Sequence, residues 1–98
     1  MNIELLYFDG CPNWTVADQR LAQALGVVNP DLKVVRRRVE TVEEAEKVGF
    51  TGSPTVLIDG RDPFATGDEQ VGLACRVYAT PEGFAGSPTV EHFVDVLT

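Results

Sequence analysis

Apolar positions along the 98-residue chain come in short blocks, and their spacing changes from block to block. Ile3 to Phe8 is a mostly apolar run closed by Asp9-Gly10. Its length and flanks predict a buried strand with helices on one or both faces of its sheet. Trp14, Ala17, Leu21, Ala24, Leu25 and Val28 then recur at helical spacing, with Asp18, Gln19, Arg20 and Gln23 opposite them. The pattern predicts an amphipathic helix from about Pro12 to Leu25, ending near Gly26, and a turn at Asn29-Pro30-Asp31. Leu32 to Val39 alternates and carries β-branched residues, so it reads as a second strand. A right-handed crossover makes it parallel to the first.

Thr41-Val42-Glu43-Glu44 has the form of a capping box opening a short helix, with Val42, Ala45 and Val48 inward and Gly49 as its stop. Thr55 to Ile58 is a third strand, with Asp59-Gly60 as a turn. Residues 61–71 are polar and turn-rich, longer than a usual hairpin loop, and serve as a lid or an insertion. Gly72 to Ala79 predicts a fourth strand, antiparallel to the third, followed by a turn at Thr80-Pro81-Glu82-Gly83. Ser87-Pro88 predicts a helix cap and first-turn proline, with Val90, Phe93, Val94 and Leu97 as the inward stripe of a closing helix. Gly-Ser-Pro-Thr-Val occurs twice, from Gly52 and from Gly86, but runs once into a strand pattern and once into a helix pattern, so it is no structural repeat.

Ninety-eight residues suffice for one domain, 1–98, with its own core. Fifteen acidic against eight basic residues give a formal net charge of −7, which argues against nucleic acid and anionic membrane surfaces as partners. The basic run Arg36-Arg37-Arg38 reads as a solvated strand end. No apolar run approaches the roughly 20 residues of a membrane span, and Met1 to Leu6 lacks the basic start of a signal peptide. Two cysteines in such a chain read as thiols of a reducing cytoplasm rather than as a disulfide framework.

Chemistry points to Cys11. It stands between a strand and a helix, where unpaired amide groups and the macrodipole favour a thiolate and lower the thiol pKa. Pro12 fits the first helical turn. Asp9 acts in the opposite sense, since a nearby carboxylate raises a thiol pKa. Cys75 lies in the apolar stretch Val71 to Tyr78, and Arg76 faces away from it if that strand is regular. His92 reads as a solvent-facing residue. One histidine and two cysteines are a poor set for a structural zinc site, and no phosphate loop, nucleotide fingerprint or Ser–His–Asp pattern is present. No cofactor or metal is expected.

The element order, Cys11 after the first strand and Ser53-Pro54-Thr55 at the third resemble the thioredoxin-like family over essentially the whole chain. Cys11-Pro12-Asn13-Trp14 is similar to the C-P-x-C of glutaredoxins, with Trp14 in place of the second cysteine. The resemblance implies a mixed four-stranded sheet with three helices. It also implies a cis Pro54 whose loop, Ser53 to Thr55, presents backbone groups to substrate beside Cys11. Trp14 cannot resolve a mixed disulfide as a second cysteine does.

Three readings of the sulfurs follow. In the leading one, Cys11 is the nucleophile of a thiol oxidoreductase, resolved by Cys75 or by an external thiol, with Pro12, Trp14, Ser53, Pro54 and Thr55 at the substrate site. Its partners are a low-molecular-weight thiol or a protein disulfide. In the second, the two thiolates take a soft metal or an organomercurial, since Cys75 to Tyr78 faintly resembles a segment of organomercurial lyases and Asp9 is the nearest carboxylate. In the third, the domain is a non-enzymatic binding or scaffold module.

Overall fold

The computed structural model describes residues 1–67 and 69–98, so Asp68, within the 61–71 stretch, lies outside the described residues. In chain order the elements are β1 (Ile3–Tyr7), α1 (Asn13–Val28), β2 (Val34–Arg38), α2 (Val42–Val48), β3 (Thr55–Ile58), β4 (Tyr78–Thr80), β5 (Gly83–Ala85) and α3 (Val90–Leu97). Strand β1 is the centre of a mixed sheet of order β2-β1-β3, parallel to β2 and antiparallel to β3.

Alternation along β1 sends its side chains into two layers. Ile3 and Leu5 meet Ala17, Leu21, Ala24 and Leu25 of α1, Val56 of β3, and Phe93 and Leu97 of α3. On the other face Leu6 packs with Val39, Ala45 and Phe50. The chain is therefore α/β, with α1 and α3 over one face and α2 over the other.

Several expectations change in detail. Helix α1 runs through Gly26 to Val28 rather than ending near Gly26. The helix closes where Asn29 turns extended and its N–H bonds Leu25 O at 2.8 Å. Thr41 caps α2 by accepting from Glu44 N at 3.1 Å, and Gly49 ends it in the left-handed region at φ 72°. Val42, expected inward, is exposed instead. The cap of α3 is Thr89, which accepts from His92 N, so Ser87 and Pro88 precede the helix as a buried pair.

The larger correction concerns the fourth strand. Among the described residues the sheet has three strands, not four, and residues 72–77 do not run antiparallel to β3. Only Tyr78–Thr80 is extended, and it pairs locally with Gly83–Ala85 as a separate two-stranded sheet. The turn between them favours that partner: Thr80 Oγ1 donates to Gly83 O at 2.6 Å, and Gly83 takes φ 113°. Upstream, Cys75 forms an isolated parallel bridge with Ser53. No helix among the described residues is long and apolar enough to cross a membrane.

Candidate functional site

The two cysteines, 64 positions apart in sequence, are joined as a disulfide with Cα atoms 5.7 Å apart. This separation is ordinary for a disulfide. It corrects the reading of the pair as free thiols. Cys11 reaches this position because the chain leaves the buried centre of β1, turns at Asp9-Gly10 with Cys11 N donating to Phe8 O at 3.2 Å, and enters α1. Cys75 reaches it from the other side, on the segment between the 62–69 loop and β4.

Ser53 holds the two sides together. Its N–H donates to Ala74 O at 2.7 Å and its carbonyl accepts from Arg76 N at 3.0 Å, bracketing Cys75. The same carbonyl lies 3.6 Å from Cys11 Sγ. As a disulfide sulfur Cys11 carries no proton to donate there; as a thiol it could. The Ser53–Pro54 bond is cis. Gly52 makes the close approach possible: its φ is 112°, and a Cβ there would sit 3.0 Å from that of Arg76.

Exposure separates the two sulfur-bearing residues. Cys11 is fully buried, whereas Cys75 is exposed. Ser53, Pro54 and Thr55 are buried too, Thr55 donating to Gly52 O at 2.5 Å. Both backbone groups of Ser53 that the resemblance would offer to substrate are thus taken by the chain's own residues 74 and 76. Pro12 is exposed at the start of α1, and Trp14 is half-buried, stacked on Tyr7 with ring centroids 4.1 Å apart. Asp9 lies at the surface with its carboxylate 2.9 Å from Arg38. His92 is half-buried rather than fully solvent-facing.

Sequence reasoning missed Arg76. Residues 72–77 do not form the strand whose alternation would have turned it away from Cys75, yet Arg76 is buried where Cys75 is exposed, with its side chain only 6% exposed. The guanidinium donates to Asp62 and to Thr51 Oγ1 through Nη1, and to Phe64 O at 3.1 Å through Nη2, which also lies 3.7 Å from Glu69. It stands 4.7 Å over the Tyr78 ring, and Tyr78 in turn donates to Pro54 O at 2.5 Å. Burial pushes the Tyr78 phenol well above its ordinary range, so it remains a donor. Hydrogen bonds from the hydroxyl and amide of Thr66 hold Glu69 down at about 2. The signal available in sequence was an arginine inside an apolar alternating stretch, with acids in the preceding loop.

That loop is anchored by an aromatic. Phe64 packs edge-on against Tyr78 and Phe93, at centroid distances of 5.6 and 5.7 Å. For a soft metal the site offers two sulfurs. Among the described residues no three His, Cys, Asp or Glu side chains are grouped to hold an ion. Comparison with protein-family models, curated proteins and solved structures finds no match to this chain.

Proposed function

We propose that this protein is a thiol–disulfide oxidoreductase of thioredoxin-like design whose redox couple is Cys11–Cys75. The observation that carries the reading is the disulfide itself, with one partner buried at a helix start and the other exposed. The parallel β1–β2 and antiparallel β1–β3 pairings with helices on both faces support the thioredoxin-like part. The detached β4–β5 hairpin departs from the four-stranded form of that family.

Exposure favours an order of events in which Cys75, not Cys11, meets the partner. A low-molecular-weight thiolate attacks the sulfur of Cys75. The Cys11–Cys75 bond breaks, and its electron pair leaves on Cys11, which sits at the start of α1 and takes up a proton to become the thiol. A second thiol then displaces the first from Cys75, giving the dithiol protein and one molecule of oxidised small thiol. In the reverse direction Cys75 attacks a disulfide substrate and Cys11 resolves the mixed disulfide from within. Trp14 therefore need not be replaced by a cysteine, because the resolving sulfur is already at hand.

The rival reading, a binding module with a fixed crosslink, is favoured by the complete burial of Cys11. Reduction of a small-molecule disulfide by glutathione, followed with wild type, Cys11→Ser and Cys75→Ser, separates the two. Acceleration by the wild type that Cys75→Ser abolishes is the expected result. No acceleration by any form, with the disulfide intact throughout, overturns the proposal in favour of the crosslinked module.

A further inference from the structure

Arg76 is the one charged side chain among the buried polar residues described. Burying a guanidinium with carboxylates gives little net stability over well-packed apolar residues, so its presence calls for another account. Its contacts supply one. From a single backbone position, next to Cys75, it reaches Thr51 ahead of the Ser53–Pro54 loop, Asp62 and Phe64 of the following loop, and the face of Tyr78, which itself holds Pro54. Besides this clasp, the segment is held by the two backbone bonds to Ser53 that bracket Cys75 and by Leu73, which packs against the layer of Leu6 and Phe50. Residues 71–77 belong to no helix or strand, and among the described residues only the bridge to Ser53 and Gly72 N–Phe50 O, at 3.2 Å, tie their backbone elsewhere.

We infer that Arg76 is a positioning residue for the redox couple: its clasp on Asp62, Thr51 and Phe64 holds Cys75 facing Cys11 when the two are thiols, and so sets how readily the disulfide closes. The inference rests on the proposed Cys11–Cys75 couple. Physically, the clasp lowers the conformational freedom that residue 75 must lose on closure, raising the effective concentration of one sulfur at the other. Cys75 can then exchange with an external thiol without its segment drifting away. The planar fork matters here because its two terminal nitrogens meet Thr51 and Asp62 on one side and Phe64 O on the other, a fixed spacing that the single point of an ammonium does not reproduce.

The test is the equilibrium of the whole protein with mixtures of reduced and oxidised glutathione, read as the fraction of intramolecular disulfide by alkylation and mass spectrometry. Arg76→Gln is expected to lower the equilibrium constant for closure about tenfold, the order expected for freeing one backbone position. Arg76→Lys should restore part of it, and Asp62→Asn should fall between wild type and Arg76→Gln. Thermal melts of the oxidised and reduced forms serve as control, since a merely structural arginine lowers both without moving the thiol–disulfide equilibrium. If Arg76→Gln does not fold, Asp62→Asn carries the test with the same readout. An unchanged equilibrium constant in folded variants overturns the inference while leaving the couple standing. A wild type that never forms the Cys11–Cys75 disulfide fails at the earlier step and removes both.

Discussion

Replacing Cys75 with serine opens a loop whose ends are 64 positions apart. In the chain-entropy treatment, a crosslink of that span restricts the unfolded chain by an amount worth about 4 kcal/mol at 25 °C. The native side of the balance changes less, because the backbone bonds of Ser53 to residues 74 and 76 and the Arg76 clasp do not depend on the sulfurs. For a domain of this size a loss of 1 kcal/mol lowers Tm by about 4–8 °C, so the crosslink is worth roughly 15–30 °C. Thermal melts and urea titrations of the oxidised protein, the dithiothreitol-reduced protein and Cys75→Ser test this. The last two should agree with each other and melt well below the first. Coincident midpoints for the oxidised and reduced wild type would refute the reasoning, since they would mean that the disulfide closes no loop the unfolded chain would otherwise keep open.

Gly52→Ala combines a φ of 112° with a Cβ 3.0 Å from that of Arg76; it should cost more than about 1 kcal/mol in urea unfolding and speed alkylation of Cys75 in the reduced protein. Glu69 is held at about 2, below its ordinary 4.5, chiefly by hydrogen bonding from Thr66. Because the folded value is the lower one, its contribution is full above about pH 4.5 and is lost as pH falls through about 2; acid titration of Glu69→Gln should show a flatter stability profile over that window. Phe93→Ala removes the fully buried ring against which Phe64 stands edge-on, and should cost about 3–5 kcal/mol by chemical denaturation. Thr41→Ala removes the cap of α2 and should cost about 1 kcal/mol in the same measurement.

The half of the fold that was legible in sequence is the half whose partners lie close along the chain or repeat with a clear period. Ile3 to Phe8, the stripe from Trp14 to Val28 and the alternation from Leu32 onward suffice for a parallel β1–β2 pair under α1. Thr41 and Gly49 punctuate α2 where capping chemistry expects them. Beyond Ile58 the information thins. Gly83 to Ala85 is a strand of three residues, too short to show a period, and it takes β4 away from the sheet edge to which the longer apolar stretch pointed. Ser87-Pro88 carries the composition of a helix start, but both residues are buried ahead of the helix and Thr89 caps it.

The site divides in the same way. Cys11 at a helix start, and Ser53-Pro54 before a strand, are local statements that sequence can make. Closure of Cys11 onto Cys75 is not local: it depends on Ser53 pairing with residues 74 and 76, which no spacing encodes. Arg76 shows the limit most clearly. Alternation placed it opposite Cys75, but its acceptors Asp62, Phe64 and Thr51 come from a polar loop and a turn, where charged residues ordinarily face water. Tertiary packing, rather than local pattern, made it a buried residue.

The central claim is that Cys11 and Cys75 form one reversible two-electron couple. Its most direct test is to titrate the wild-type protein across glutathione ratios, quench with an alkylating agent, and weigh the intact chain and its Cys11 and Cys75 peptides. The account predicts that both thiols vanish together in a single transition to the intramolecular disulfide, with transient glutathione adducts on Cys75. Two thiols that respond independently, or a crosslink that glutathione never opens, would contradict it.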